Sequence, residues 1–163
     1  MSTIQILAKV IDTSRNRTLA LLDKIRAEPD PAAVLGWRPG PGRAHIAWQL
    51  MHIAATEELF ATERLYEAKK TTIPELVARY RGGSTPDDVI PSIDEIAAQL
   101  AATRANLLDT LGRLTDDQLS WVPPGLQARQ LTVEGALHIL PWHEGHHQGQ
   151  AHITFNLFKV RGA

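Results

Sequence analysis

Apolar residues return at intervals of three and four through four long segments of the chain, and no run of alternating β-branched residues lies between them. That period predicts an all-α fold, a four-helix bundle. The first helix covers roughly residues 3–27, with Ile4, Leu7, Ile11, Ser14, Thr18, Leu21 and Ile25 on one stripe. Its stripe is apolar at the ends and polar in the middle. A second helix, from about 43 to 69, carries Trp48, His52, Ala55, Leu59, Thr62 and Tyr66. The third, roughly 92–114, opens with a capping box from Ser92 to Glu95 and continues through Ile93, Ile96, Leu100, Thr103, Leu107, Leu111 and Leu114. The fourth, roughly 132–160, aligns Ala136, Leu140, His143, His147, Ala151, Thr154 and Phe158.

The segment EPDPAAVLGWRPGPG breaks any helix between the first two, because proline lacks the donor a helix interior needs. About 20 residues, with a short helix after TTIPE, separate helices two and three, and about 17 separate three and four, both long for bundle connections. Such lengths allow a crossover along the bundle, so up-down-up-down order does not follow. Pro141 should kink the fourth helix or begin a new segment just before His143.

Composition adds mostly exclusions. The 163 residues suffice for a single domain, 1–163, with a core of its own. A net charge of -1, with 17 basic and 18 acidic residues well mixed, gives no footprint for nucleic acid or a membrane surface. No segment approaches the roughly 20 apolar residues of a membrane span, and the first residues do not read as a signal peptide, so the expected compartment is the cytoplasm. With no cysteine, any metal must sit on imidazole, carboxylate or water, and any thiol must come from outside.

The histidines change the picture. Residues four apart on a helix are about 40° and 6 Å apart, so His143 and His147 can reach one ion. Both lie on the apolar stripe of the fourth helix, and His52 lies on that of the second. Leaving such rings buried without partners would cost about 1–3 kcal/mol each, whereas one divalent cation would satisfy all three. A histidine in an apolar stripe is otherwise a hydrogen-bonded core residue, and that alternative stays open on residue type alone. Three histidine ligands would leave an ion with an open position, as reactive sites have. Of the other histidines, His45 belongs at the rim or surface, His146 at the pocket edge, and His152 in solvent, while His138 is an ordinary partly buried histidine in preference to a residue of the pocket border. Ser14, Thr18 and Thr103 interrupt their stripes at mid-height, either as the lining of a pocket around the metal or bonded to their own helix backbone.

The string His143-Glu144-Gly145-His146-His147 also satisfies the H-E-x-x-H pattern of zinc proteases. The longer form of that motif needs glycine at 150 and histidine at 153, where Gln150 and Ile153 stand. No Asp or Glu follows His147, and no strand is evident to hold a peptide. A protease is therefore disfavoured. Glu144 either touches metal-bound water, as a candidate catalytic residue, or faces solvent.

The segments AHIAWQLMHIAATEE and LHILPWHEGHHQGQAH together resemble the DinB-like family of four-helix-bundle metalloproteins. The lead-in LGWRPGPG and the loop TDDQLSWVPPG extend the likeness over nearly the whole chain. The resemblance implies a divalent metal, nickel, zinc or iron, held by His52, His143 and His147, in a bundle that is often a homodimer. It further implies an enzyme activating a low-molecular-weight thiol, or water, for transfer to a small electrophile. A metal-dependent hydrolase and a non-catalytic metal-binding or ligand-sensing bundle are the alternatives.

Overall fold

The computed structural model describes residues 1–66 and 69–161, which form helices and loops with no strand among them. The four predicted helices correspond to α1 (Thr3–Arg26), α3 (Ile46–Leu59), α5 (Ile93–Leu111) and α6 (Val133–Val160). Two short helices, α2 (Pro31–Gly36) and α4 (Pro74–Tyr80), lie in the connections, the second of them starting inside TTIPE, at Pro74, where a helix was expected after it. Each long helix starts at a side-chain cap. Ser2 and Ser92 form capping boxes with Gln5 and Glu95, and Thr132 accepts from the Gly135 N–H.

The second helix differs from expectation at both ends. His45 caps it, its Nδ1 accepting from the Trp48 N–H at 3.0 Å, so the helix begins at Ile46 and not near residue 43. Beyond Leu59 the chain widens into a π-turn, Phe60–Arg64, closed by Leu65 N–H donating to the Phe60 carbonyl at 3.1 Å. The inserted residue turns later side chains to new directions, which a uniform helical period does not anticipate. Residues 67 and 68 of the expected span lie outside the described residues. In α6 the correction runs the other way, because Pro141 sits inside one unbroken helix and starts no new segment. The Ser14 hydroxyl donates to the Pro141 carbonyl at 3.3 Å.

Helix α1 packs on α6 and α5, and α3 packs on α5 and α6. Every residue of α3 except Trp48 is buried, which makes it the central helix and explains why its apolar residues are not confined to one face. The apolar core divides into two clusters. One joins Leu21, Leu22 and Ile25 of α1, the body of α3, Ile96 and Leu100 of α5, and Phe155 and Phe158 of α6. The other joins Ile4 and Ile11, Phe60, Leu107 and Leu111, and Val133 to Leu140. Thus α1 and α6 run in one direction, with α3 and α5 in the other. The connection from α3 to α5 has to return along the molecule, and α4, which packs on α3, is part of that return.

Between the clusters lies a charged layer drawn from all four long helices. Arg15 donates to Glu57 Oε2 and to Glu144 Oε1, each at 2.7 Å. Arg104 donates to Glu57 Oε1 at 2.5 Å and to Glu144 Oε2 at 2.7 Å, and reaches Asp12 at 2.9 Å. The Thr18 hydroxyl adds a bond to Glu144 at 2.7 Å, and Thr103 one to Glu57 at 3.4 Å. Two arginines and two glutamates balance in charge, and their mutual bonds offset the desolvation that burial imposes. Burial works against the Arg104 guanidinium, yet Glu57 and Glu144 together raise its pKa.

Candidate metal centre

Next to this layer the histidines of α3 and α6 meet. Nitrogen atoms of His52, His143 and His147, one from each ring, all lie within 4.8 Å of one another. The ring centroids are 4.4 to 4.9 Å apart in all three pairs. His52 Nε2 and His143 Nε2 approach to 3.0 Å. Two such nitrogens with lone pairs in the same space need either a shared proton or a shared cation between them.

Two of the rings are oriented from behind. His52 Nδ1–H donates to the carbonyl of Tyr80, the last residue of α4, at 2.6 Å. His147 Nδ1–H donates to Gln49 Oε1 at 2.5 Å. Each bond fixes a tautomer and leaves Nε2 as the free donor atom, the arrangement found behind metal-ligating imidazoles. The Thr56 hydroxyl stands 3.5 Å from His143 Nε2. Trp48 closes one side, stacked on His52 with centroids 4.8 Å apart and planes 7° from parallel.

The electrostatics keep the rings neutral. Burial, then the neighbouring His52, then Arg64 push His143 down to about 4. Burial, His52 and His143 push His147 down to about 3. Burial also lowers His52, against the Tyr80 carbonyl bond that favours its protonated form. At neutral pH all three therefore present lone pairs. A divalent cation that imidazole suits fits this donor set, for which nickel, zinc and iron are all chemically acceptable.

Other expected residues stand elsewhere. His45 is buried as a helix cap, its Nε2 bonded to the Asp87 carbonyl at 2.9 Å, and is neither rim nor surface. His152 is half-buried beside Arg17 and Lys24, where solvent exposure was expected. His138 is exposed. His146 is exposed at the edge of the cluster, stacked on Trp142 at 5.5 Å and edge-on to His147 at 5.0 Å. Glu144 is 2 % exposed, so it does not face solvent, and both its oxygens are taken by Arg15, Thr18 and Arg104. Thr18 and Thr103 line the charged layer and not a pocket around the metal, and each also bonds back to its own helix, to the Ser14 and Gln99 carbonyls at 3.4 and 3.0 Å, as the alternative reading had it, while Ser14 is spent on the Pro141 carbonyl.

Sequence reasoning missed Gln49, Tyr80, Arg15, Glu57 and Arg104. Gln49 was within reach of a pattern argument, lying three residues before His52 and seven before Thr56 on the same side of α3. Tyr80 acts through its backbone and leaves no mark in the sequence.

The model of the DinB superfamily matches residues 11–151, a span holding all three histidines and the whole charged layer. The chain belongs to the DinB superfamily. No curated protein matches the sequence. Among solved structures, a conserved protein from Enterococcus faecalis is similar, with a TM-score of 0.63 over 96% of this chain and 97% of that one. At 19% identity that likeness concerns the fold alone. Within the described residues of this DinB superfamily member, no helix is long and apolar enough to cross a membrane.

Proposed function

We propose that this chain binds a divalent metal through His52, His143 and His147 and is an enzyme that activates a low-molecular-weight thiol, or water, for transfer to a small electrophile. The observation that carries the reading is the convergence of three neutral imidazoles, two with their outer nitrogens anchored to oxygen acceptors. Nickel, zinc or iron bound there would act as a Lewis acid, lowering the pKa of a thiol or water at its open position. Gln49 and the Tyr80 carbonyl hold two rings in their ligating tautomers. Trp48 covers the His52 ring and limits water on that side. Glu144 serves this site as an anchor for α6, its carboxylate held by two guanidiniums. The thiol is a cosubstrate, because the chain has no cysteine of its own.

The test is metal analysis of protein purified without an affinity tag, followed by assay of thiol addition to a model electrophile. Addition that needs the metal, the thiol and an intact His52 is the expected result. Ester or amide turnover without thiol would instead favour a hydrolase. A metal whose removal only lowers the melting temperature, and whose spectrum no small molecule perturbs, would favour a non-catalytic bundle.

A further inference from the structure

Three arginines from separate segments gather on one side of the histidine cluster. Arg64 ends the π-turn that extends α3, its guanidinium 4.5 Å from the centre of the Phe60 ring. Arg81 immediately precedes Gly82, where a Cβ would stand 4.0 Å from His52 Cε1. Arg129 ends the short turn Pro124–Arg129, and that turn is pressed onto the π-turn so closely that a Cβ on Gly125 would lie 2.8 Å from Arg64 Cα. Among the described residues, none of the three guanidiniums forms a salt bridge, which they share with Arg17, Arg43 and Arg161, whereas Arg15, Arg26, Arg38, Arg79, Arg104 and Arg113 do.

A partly buried guanidinium without a carboxylate loses hydration and gains only a ring face in return. Burial first, then the charges of Arg129 and Arg81, push Arg64 down to about 10. Its charge in turn acts on His52 and His143. Glu63, the preceding residue, offsets this in part without forming an ion pair with Arg64. The imidazoles are neutral, and Glu57 and Glu144 are already matched by Arg15 and Arg104. The only two buried side-chain polar atoms without a partner among the described residues are Trp48 Nε1 and Ser84 Oγ. Trp48 stacks on His52, and Ser84 follows two residues after Gly82. Positive charge is thus in excess around the three arginines, and Ser84 leaves a hydroxyl unpartnered near Arg81, whereas Trp48, one turn before His52, lies toward the other end of α3 from Arg64.

We propose that Arg64, flanked by Arg81 and Arg129, is an anion-binding pole beside the histidine cluster, and that the small molecule taken there carries a carboxylate or phosphate group besides the group that reaches the histidines. The first half stands on the arginines alone; the second rests on the metal-centre reading. A guanidinium fork suits either anion, because it donates two parallel hydrogen bonds to a pair of oxygens.

The experiment is calorimetric titration of the full chain with succinate and with inorganic phosphate, before and after loading with cobalt(II). Saturable binding of at least one anion is expected without metal, weakened about tenfold in Arg64→Met and less in Arg64→Lys. Arg17→Met, on the exposed face of α1, should leave it unchanged. If Arg64→Met does not fold, the exposed pair Arg81→Met and Arg129→Met gives the same reading with a smaller loss. No saturable binding in the wild type, or equal binding in these variants, overturns the proposal. With cobalt bound, thioglycolate should produce the thiolate-to-cobalt absorption at about tenfold lower concentration than 2-mercaptoethanol, and Arg64→Met should remove that preference. Cobalt that fails to bind while anions still depend on Arg64 would sink the metal centre and leave the anion pole standing. Cobalt bound at one ion per chain with anions indifferent to Arg64 would do the reverse.

Discussion

Gln49 Oε1 accepts the Nδ1–H of His147 at 2.5 Å, across the contact between α3 and α6. The bond holds one histidine tautomer and turns the opposite nitrogen toward His52 and His143. Partners of this kind change metal affinity by about 10- to 100-fold when removed. Gln49→Ala should therefore weaken the metal by that factor while leaving the far-ultraviolet circular dichroism unchanged, and Gln49→Glu should restore affinity. Competition against a chromophoric chelator measures both. Unchanged affinity in Gln49→Ala would show that the bond does not serve the site.

His52→Ala, His143→Ala and His147→Ala should each abolish stoichiometric metal binding, whereas His138→Ala and His152→Ala should retain it. Elemental analysis of untagged protein after dialysis decides the matter. Full metal content in His143→Ala would remove that residue from the ligand set.

The helices were legible because burial imposes a period, from which the histidine stripe follows directly, and because Ser92 and Glu95 carry a local start signal of their own. What escaped was charge in the core. Arg15, Glu57 and Arg104 read as solvent-facing by default, since charged side chains are rarely buried unless paired, and pairing across four helices is invisible in one sequence. The polar interruptions at Thr18 and Thr103 were noticed, yet they mark the level of the ion pairs, on which Glu144 is spent. The π-turn was missed because one extra residue changes direction without changing composition. The anchor on His52 was missed because its acceptor is a backbone carbonyl.

Glu144→Ala should cost about 3–5 kcal/mol of stability, because it leaves Glu57 as the one buried carboxylate for both Arg15 and Arg104, with the half-exposed Asp12 reaching Arg104 alone. Urea unfolding of the metal-free protein measures the loss. Combining it with Arg15→Met should recover part, since the two residues are in contact and their effects are not additive. Metal stoichiometry should persist in any Glu144 variant that folds. A Glu144→Ala protein of wild-type stability would contradict the anchoring role.

Gly125→Ala should destabilise the protein by about 2 kcal/mol or more, because backbone lies where the new methyl must go. The added Cβ would stand 2.0 Å from the Glu63 carbonyl oxygen, so the turn carrying Arg129 has to lift from the π-turn. Thermal unfolding should show the loss. Gly145→Ala, where open space surrounds the new atom, should show none.

Acid should destabilise the metal-free protein in a window set by the histidines. His143 and His147 fall from 6.5 in the unfolded chain to about 4 and about 3 in the folded one. Between those values the unfolded state binds more protons, so stability rises with pH there. The contribution is fully present above 6.5 and is lost progressively as pH falls toward the folded values. A bound metal steepens the loss, since protonated imidazole cannot ligate and the ion must leave before the rings charge. Melting temperatures should therefore drop below about pH 6.5 in the wild type, more steeply with metal than without. The double variant His143→Gln with His147→Gln should flatten the curve between pH 6.5 and about 5, whatever the buried carboxylates contribute at lower pH. An unaltered slope in that variant would mean that these two rings do not carry the acid sensitivity.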